Sequence, residues 1–79
     1  MTAVVNVFLK EGVLDQQGKA AHHALDSLGF AGVTDVRIGK QIIIKLDTED
    51  RAVAEAEVKE MCETLLANTV IEDYTIEIN

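Results

Sequence analysis

The sequence predicts an α+β fold, a two-layer sandwich in which a four-stranded antiparallel sheet carries two helices on one face. Two observations carry this prediction. Four short segments are rich in β-branched residues or alternate apolar with polar residues, and two longer segments repeat apolar residues at spacings of three and four. The order of these segments is βαββαβ. Residues 1–79 are expected to form a single domain, because chains this short rarely divide.

The first strand and the first helix are predicted from residues 3–9 and from the stretch after Asp15. Asp15 is the expected N-cap, because its carboxylate can accept the free N–H groups two or three residues on. Gly29 suits the left-handed closing position of the helix. One face of this helix is apolar (Ala20, Ala21, Ala24, Leu25, Leu28), and the polar residues are expected to face outward (Lys19, His22, His23, Asp26).

The second and third strands are predicted from two further segments. Val33–Ile38 alternates apolar with polar residues, which is typical of an outer strand with one covered face. Gly39 and Lys40 are then expected to form a type II′ hairpin turn into the strand QIIIKLD, residues 41–47. This order matches the split βαβ, ferredoxin-like plan, which places the first and third strands at the centre of the sheet.

The second helix and the last strand complete the plan. Thr48, or Asp47 before it, is the expected N-cap, and the helix is expected to run to about Ala67 with Asn68 as its closing residue. The last strand is predicted at residues 73–79, where apolar and polar side chains alternate. The buried stripe of the helix is expected to comprise Ala54, Val58, Met61, Cys62 and Leu65.

The sheet face opposite the helices is predicted to be a contact surface. In a two-layer fold both helices cover the same face, which leaves Val4, Phe8 and Ile43 near the centre of the other. A small domain gains from extra burial, so these three residues are the candidates for a homodimer interface. The alternative is that they are scattered apolar residues exposed to solvent.

Composition and charge exclude several classes of partner. The chain has 14 acidic against 7 basic residues and a formal net charge of −7, which disfavours nucleic acid and anionic membranes. One Tyr, two Phe and no Trp provide no stacking platform for single strands. No apolar run is long enough to span a membrane and no signal core follows Met1, so a cytoplasmic location is expected. A single cysteine, Cys62, agrees with a reducing compartment.

No catalytic, cofactor or metal site is predicted on this chain. The stretch from Gly12 to Ala20 is one residue too long for a phosphate-binding loop and lacks the hydroxyl that would meet Mg²⁺, so a strand-to-helix corner is favoured. His22 and His23 are adjacent and cannot form an i, i+4 metal pair. Cys62 lies on the buried stripe and is read as a core residue. The acidic residues of the second helix are read as a solvated face (Glu49, Asp50, Glu55, Glu57, Glu60, Glu63).

Three basic residues near strand ends stand out in an acidic chain. Lys10, Arg37 and Lys40 could bind an acidic partner surface or a phosphate. The alternative, ordinary surface side chains, is at least as well supported by the residues alone.

Five segments together resemble the PurS family, the small subunit of the bacterial and archaeal three-part phosphoribosylformylglycinamidine (FGAM) synthase. They span nearly the whole chain in the family's order: KEGVLDQQGKA, ALDSLGF, VTDVRIGK, VKEMCETLLAN and VIEDYTIEI. The sequence departs from the family at Gln16 and Thr69, where proline is usual, which bears on the rigidity of those two corners.

The resemblance implies a non-catalytic assembly subunit of purine (IMP) biosynthesis. A homodimer or higher homo-oligomer would join a PurQ-like glutaminase subunit to a PurL-like synthetase subunit and aid ammonia transfer. ATP and Mg²⁺ would be used by the complex, with no cofactor on this chain. Residues that match the family's pattern and lie at turns are the candidates for contacting these partners: Lys10, Asp15, Gln17, Gly18, Arg37, Lys40 and Asn68.

The alternative function is a ferredoxin-like regulatory domain that binds a small metabolite at a dimer interface. Fold analogy alone supports it. The two functions separate in one assay, because only an assembly subunit would restore glutamine-dependent synthesis to the larger subunits.

Overall fold

The structure, a computed structural model, describes all residues from Met1 to Asn79. The chain forms three strands and two helices, with a π-helical turn after the second helix. These are β1 (Thr2–Leu9), α1 (Gln16–Ser27), β2 (Lys40–Lys45), α2 (Arg51–Met61), the π turn (Cys62–Leu66) and β3 (Glu72–Ile78). The sheet is antiparallel with the order β2-β1-β3. The predicted α+β class is confirmed, and β1 is the central strand.

The core lies between one face of the sheet and α2. Alternate residues of β1 point toward α2, and residues four apart on α2 point back, because these are the repeats of a strand and a helix. Each fully buried valine contributes about 1.5–3 kcal/mol through burial. The buried cluster comprises Ala3, Val5, Val7, Ala54, Val58, Cys62, Ala67 and Ile78.

The N-terminus of α2 differs from the prediction. Asp50 is the N-cap, whereas Thr48, or Asp47 before it, was expected. Its Oδ1 accepts hydrogen bonds from the backbone N–H groups of Ala52 (2.9 Å) and Val53 (3.3 Å), so one carboxylate serves two free donors. The Thr48 hydroxyl instead accepts from the Asp50 N–H at 3.2 Å and orients the cap.

The C-terminal end of α2 is a π turn that changes which side chains are buried. The Ala67 N–H donates to the Cys62 carbonyl at 3.1 Å, a bond that spans five residues. This wider turn moves Leu65 out of the predicted buried stripe, and 82% of its surface is exposed. The predicted end near Ala67 is correct. Asn68 does not adopt the expected left-handed conformation, because no residue other than glycine has a positive φ.

The segment predicted as the second strand, Val33–Ile38, runs as extended chain outside the sheet, so the fourth strand is not present and β2 is an edge strand. The Ile38 N–H donates to the Asp15 carboxylate at 2.7 Å, which holds this segment beside α1. The expected type II′ turn is absent as well. Gly39 has no positive φ, and the chain enters β2 directly at Lys40.

We call residues 16–38, α1 and the return segment that follows it, the arm. The arm projects from the rest of the chain: α2 packs on the sheet, whereas α1 makes no comparable contact with it, which differs from the predicted pair of helices on one face. The molecule measures 48 × 24 × 14 Å, with a radius of gyration of 16.0 Å. A compact chain of this length would have a radius of about 12 Å.

One hydrogen bond beside the π turn makes a measurable prediction. The Tyr74 hydroxyl donates to the Glu63 carboxylate at 2.7 Å, and this bond, with some desolvation, raises the pKa of Tyr74 to about 12. Because the folded pKa exceeds the ordinary value of 10.0, the stabilisation is complete below pH 10 and is lost as the pH rises toward 12. Tyr74 is the only tyrosine, so absorbance of the tyrosinate form reports it alone.

We expect the tyrosinate titration of the intact chain to have its midpoint near 12. The Glu63→Gln variant should titrate closer to 10.0, because the charged acceptor is gone. Glu60→Gln is the matched control on the same helical stretch and should leave the midpoint unchanged. Equal midpoints in the Glu63→Gln variant and the intact chain would show that the hydrogen bond is not formed in solution.

Candidate functional site

The predicted partner-contact residues lie at one end of the molecule, where β1 ends and where β2 and β3 begin. We call Lys10–Gly18 together with Asp35–Lys40 the corner. Six of the seven candidates belong to it, and the seventh, Asn68, lies in the turn before β3. The Lys10 N–H donates to the Ile71 carbonyl at 2.8 Å, which joins that turn to the end of β1. The structure therefore brings all seven candidates to the same end of the sheet.

Asp15 holds the corner together. Its Oδ1 accepts from the Gly18 N–H at 2.8 Å, which confirms the predicted N-cap, and its Oδ2 accepts from the Ile38 N–H at 2.7 Å. The residue is buried, with 5% of its surface exposed. The pKa of Asp15 is lowered, first by the hydrogen bond from Ile38, then by the one from Gly18, with a smaller contribution from the Arg37 charge. This carboxylate links the start of α1 to the end of the arm.

Gly18 is the position where α1 touches the return segment. A Cβ atom at this position would collide with the Val36 carbonyl oxygen. The backbone approach thus requires glycine. Gly18 was a candidate for contacting a partner subunit, and the structure gives it a packing role inside the corner.

Arg37 is committed to the backbone of the corner. Its Nη1 donates to the Val13 carbonyl at 3.1 Å, and its Nη2 donates to the carbonyls of Lys10 (3.1 Å) and Leu9 (3.4 Å). The guanidinium is a planar fork of donors that suits this kind of multiple contact. Both terminal nitrogens are therefore engaged with the chain itself, which leaves little of Arg37 to hold a phosphate.

Two shallow clefts open on either side of Asp15. The first, of about 220 Å³, is lined by residues that include Gln17, Lys40 and Glu72. The second, of about 260 Å³, is lined by residues that include Lys19 and Arg37. The first cleft offers a donor amide, an ammonium and a carboxylate within one small surface, which suits recognition of another polar protein surface.

The turn between Asn68 and Glu72 supports the first cleft. The Asn68 N–H donates to the Glu72 carboxylate at 2.7 Å, and the Asn68 Oδ1 accepts from the Val70 N–H at 3.2 Å. Glu72 was not among the predicted candidates. The one signal for it in the sequence is its spacing of four from Asn68, just after the end of a helix.

The structure gives structural roles to His22 and Cys62, the other residues that could carry chemistry. The His22 ring, expected to face solvent, is half-buried, and its Nε2 lies 2.9 Å from the Val33 carbonyl oxygen, so it ties α1 to the return segment. Cys62 is buried as predicted, and burial, together with the nearby Glu63 charge, raises the pKa of its thiol.

The structure contains no cluster of three or more His, Cys, Asp or Glu side chains that could hold a metal. None of its helices has the length and apolar character needed to cross a membrane.

The sheet face that α2 leaves uncovered is mixed in character. Val4 lies opposite Ile43 in the register, and 59% of the Ile43 surface is exposed. Phe8 lies at the other end of β1 on the same face. Between them runs a row of polar side chains, in which the Gln41 amide donates to Asn6 (3.0 Å) and the Asn6 amide donates to Thr75 (3.4 Å).

Comparisons with known proteins agree with one another. Residues 2–79 match the family model described as "PurS: Phosphoribosylformylglycinamidine (FGAM) synthase". The Bacillus subtilis protein named phosphoribosylformylglycinamidine synthase subunit PurS is 55% identical over 94% of this chain and 87% of its own length. The Methanocaldococcus jannaschii PurS structure, described as one of the subunits of formylglycinamide ribonucleotide amidotransferase in the purine biosynthetic pathway, matches with a TM-score of 0.89 at 42% identity.

The M. jannaschii match covers 99% of this chain and 94% of the other, so it includes the arm. A further match is to a chain in the structure of PurLQS from Thermotoga maritima. That chain is 29% identical, with a TM-score of 0.88 and coverage of 96% of this chain and 93% of the other.

Proposed function

The chain belongs to the PurS family and is a subunit of phosphoribosylformylglycinamidine synthase, and we propose that it acts there as the non-catalytic piece that holds a PurQ-like glutaminase and a PurL-like synthetase together. The observation that carries this proposal is the corner. It is a polar surface at one end of the chain whose shape is fixed by the hydrogen bonds of the Asp15 carboxylate to Gly18 and Ile38. Such a surface can recognise a partner protein, because Asp15, Gly18 and Arg37 hold its shape.

The chemistry of the complex explains why a subunit of this kind is useful. A glutaminase releases ammonia, and an ATP-using synthetase adds that ammonia to formylglycinamide ribonucleotide on the way to IMP. Holding the two sites in a fixed relation raises the effective concentration of ammonia at the second site. In this proposal ATP and Mg²⁺ are bound by the larger subunits, and this chain carries no cofactor of its own. Residues 1–79 act as one PurS-like domain in the cytoplasm.

The corner residues divide into two groups within this proposal. Asp15, Gly18 and Arg37 build the corner, because their polar atoms or their backbone are used inside it. Lys10, Gln17 and Lys40 have side chains for which the structure shows no hydrogen bond or ion pair within the chain, so we assign them the direct contacts with partner subunits. Asn68 acts through the turn that positions Glu72 beside Lys40.

Reconstitution tests this function. We expect omission of this chain from a mixture of glutaminase and synthetase subunits with Mg²⁺ and nucleotide to abolish glutamine-dependent synthesis. Synthesis from added ammonium should persist, because the synthetase site remains complete. A combined Lys10→Ala, Gln17→Ala and Lys40→Ala variant should need a higher concentration to restore activity, whereas Lys59→Ala on the exposed face of α2 is the control. Full glutamine-dependent activity without this chain would contradict the proposal.

We also propose that the uncovered sheet face forms a contact with another subunit, a second copy of this chain. Phe8→Asp and Ile43→Asp would each place a charge among Val4, Phe8 and Ile43, and we expect each to lower the mass of the oligomer in gel filtration with light scattering. Val53→Asp is the control, because Val53 is an exposed valine on α2, away from this face. An unchanged mass in both Phe8→Asp and Ile43→Asp would rule out this interface.

A further inference from the structure

The first cleft beside Asp15 contains two opposite charges that do not pair with each other. Lys40 and Glu72 both line it, yet the structure has no ion pair between this ammonium and this carboxylate. Lys40 lies opposite Val7 on one side of β1, and Glu72 lies opposite Leu9 on the other side. Since neighbouring strands are about 4.8 Å apart, the backbones of β2 and β3 are separated by roughly 10 Å. The two charges therefore lie on opposite sides of the cleft.

Glu72 forms the fixed side of the cleft. Its Oε1 accepts a hydrogen bond from the Asn68 N–H at 2.7 Å, and its backbone N–H donates to the Asn68 carbonyl at 2.7 Å. The side chain is half-buried, and its Oε2 accepts no hydrogen bond from the chain. A carboxylate that is already held in place, with one oxygen unused, can accept a cationic donor at a low cost in side-chain entropy.

The other side of the cleft supplies hydrogen-bond donors. The Lys40 ammonium and the Gln17 carboxamide are exposed and form no hydrogen bond or ion pair within the chain. Lys40 can donate to a carboxylate, whereas Gln17 can both donate and accept. Between the two sides lies an apolar floor that comprises Val7, Leu9 and Ile38. Such a floor limits the access of water to a bound charge, which strengthens the polar contacts above it.

The size and charge of the cleft limit its occupant. Its volume of about 220 Å³ is below the roughly 300–1,000 Å³ of pockets that hold drug-sized ligands, so it suits one small molecule. The net charge of −7 repels a simple anion, whereas a molecule with one charge of each sign is not repelled. A free α-amino acid carries its ammonium and its carboxylate on the same carbon, and it therefore complements a cleft with one charge on each side.

We propose that this cleft binds a free α-amino acid with an amide side chain. The Lys40 ammonium donates to the carboxylate of the ligand, and the Glu72 Oε2 accepts from its ammonium. The Gln17 carboxamide exchanges hydrogen bonds with the side-chain amide of the ligand. Glutamine, the nitrogen donor in the proposed function, belongs to this class. The inference goes beyond that function and is tested on the isolated chain, so its failure would leave the partner contacts of Lys40 and Gln17 unaffected.

Titration with L-glutamine, followed by NMR of the backbone amides, tests the site. We expect saturable shifts that are largest at Gln17, Gly39, Lys40 and Glu72. The dissociation constant should be on the order of 1 mM, because a ligand of this size forms few contacts. Two analogues each lack one charge: L-glutaminamide has no carboxylate, and 4-carbamoylbutanoate has no ammonium. Each should bind on the order of tenfold more weakly, since one charge-assisted hydrogen bond is lost.

Variants without the charge assign each contact. Lys40→Met should bind L-glutamine and L-glutaminamide equally, because the group that distinguishes them is gone. Glu72→Gln should bind L-glutamine and 4-carbamoylbutanoate equally, while its amide oxygen can still accept the Asn68 N–H and maintain the turn. Lys45→Met and Glu77→Gln are the matched controls and should bind as the intact chain does. Both residues lie on the same strands as the residues that they control for, but on the opposite face of the sheet.

Three outcomes would overturn the inference. The first is the absence of a saturable shift at about ten times the expected dissociation constant. The second is equal binding of L-glutamine and 4-carbamoylbutanoate to the intact chain, which would show a site for carboxylates in general. The third is unchanged selectivity in both Lys40→Met and Glu72→Gln, which would show that the amino acid binds elsewhere on the chain.

Discussion

Replacing Gly18 with alanine is expected to separate α1 from the return segment of the arm. The added methyl group would collide with the Val36 carbonyl, a backbone atom that cannot rotate away as a flexible side chain would. Overpacking of this kind typically destabilises by about 1–3 kcal/mol, even though alanine favours a helix more than glycine does. We expect a lower midpoint in urea unfolding and faster amide exchange across the arm, with the buried core between α2 and the sheet less affected.

Gly32→Ala is the matched control for this change. Gly32 lies in the same arm, and a Cβ atom there would have nothing within 4 Å. Its φ is not in the left-handed region, so alanine should be neutral or slightly stabilising. If both variants unfold at the same urea concentration, the close approach of Gly18 to Val36 is not maintained in solution.

Replacing Asp15 with asparagine is expected to have the second large effect, again on the arm. Each carboxylate oxygen accepts one backbone N–H, from Gly18 and from Ile38. An amide has one oxygen and one NH₂ group, so it can satisfy one of these donors and must present a donor to the other. We expect the exchange rate of at least one of the two backbone amides to rise on the order of tenfold, measured by NMR.

The pH dependence of the arm follows from the same carboxylate. Its pKa in the folded chain lies below the ordinary value of 3.8, so Asp15 stabilises the fold above that value and loses this effect as the pH falls through the folded pKa. Asp15→Asn should remove this part of the acid sensitivity, whereas Asp26→Asn, at an exposed position of α1, should retain it. Equal acid unfolding profiles for the intact chain and Asp15→Asn would contradict the assignment.

Local features of the fold could be predicted from the sequence, because few neighbours determine them. Asp15 caps α1 as expected, and Gly29 adopts the left-handed conformation with φ of +96°. Along β1, Val4 and Phe8 lie on the uncovered face as expected, and the residues that alternate with them, Val5 and Val7, are buried. In each of these cases the relevant partners lie within a few residues or follow from the two-residue repeat of a strand.

Features that depend on distant partners could not be predicted in the same way. The pattern of Val33–Ile38 shows which side chains share a face, but it does not show which strand they pair with, and the single chain leaves them unpaired. Leu65 has the spacing of a buried residue, and the π turn, closed by the hydrogen bond from the Ala67 N–H to the Cys62 carbonyl, moves it outward. Arg37 was predicted to be available to a partner or a phosphate. The backbone carbonyl oxygens that it contacts are present in every residue, so a sequence pattern cannot reveal these contacts.

The thinness of the molecule has a consequence for the path of ammonia. Its smallest dimension is 14 Å, and a single helix with its side chains is already about 10–12 Å in diameter. A close-packed slab of that thickness has no room for an internal tunnel. Any conduit that crosses this part of the synthase must therefore follow the outside of the chain, with its remaining wall supplied by a neighbouring subunit.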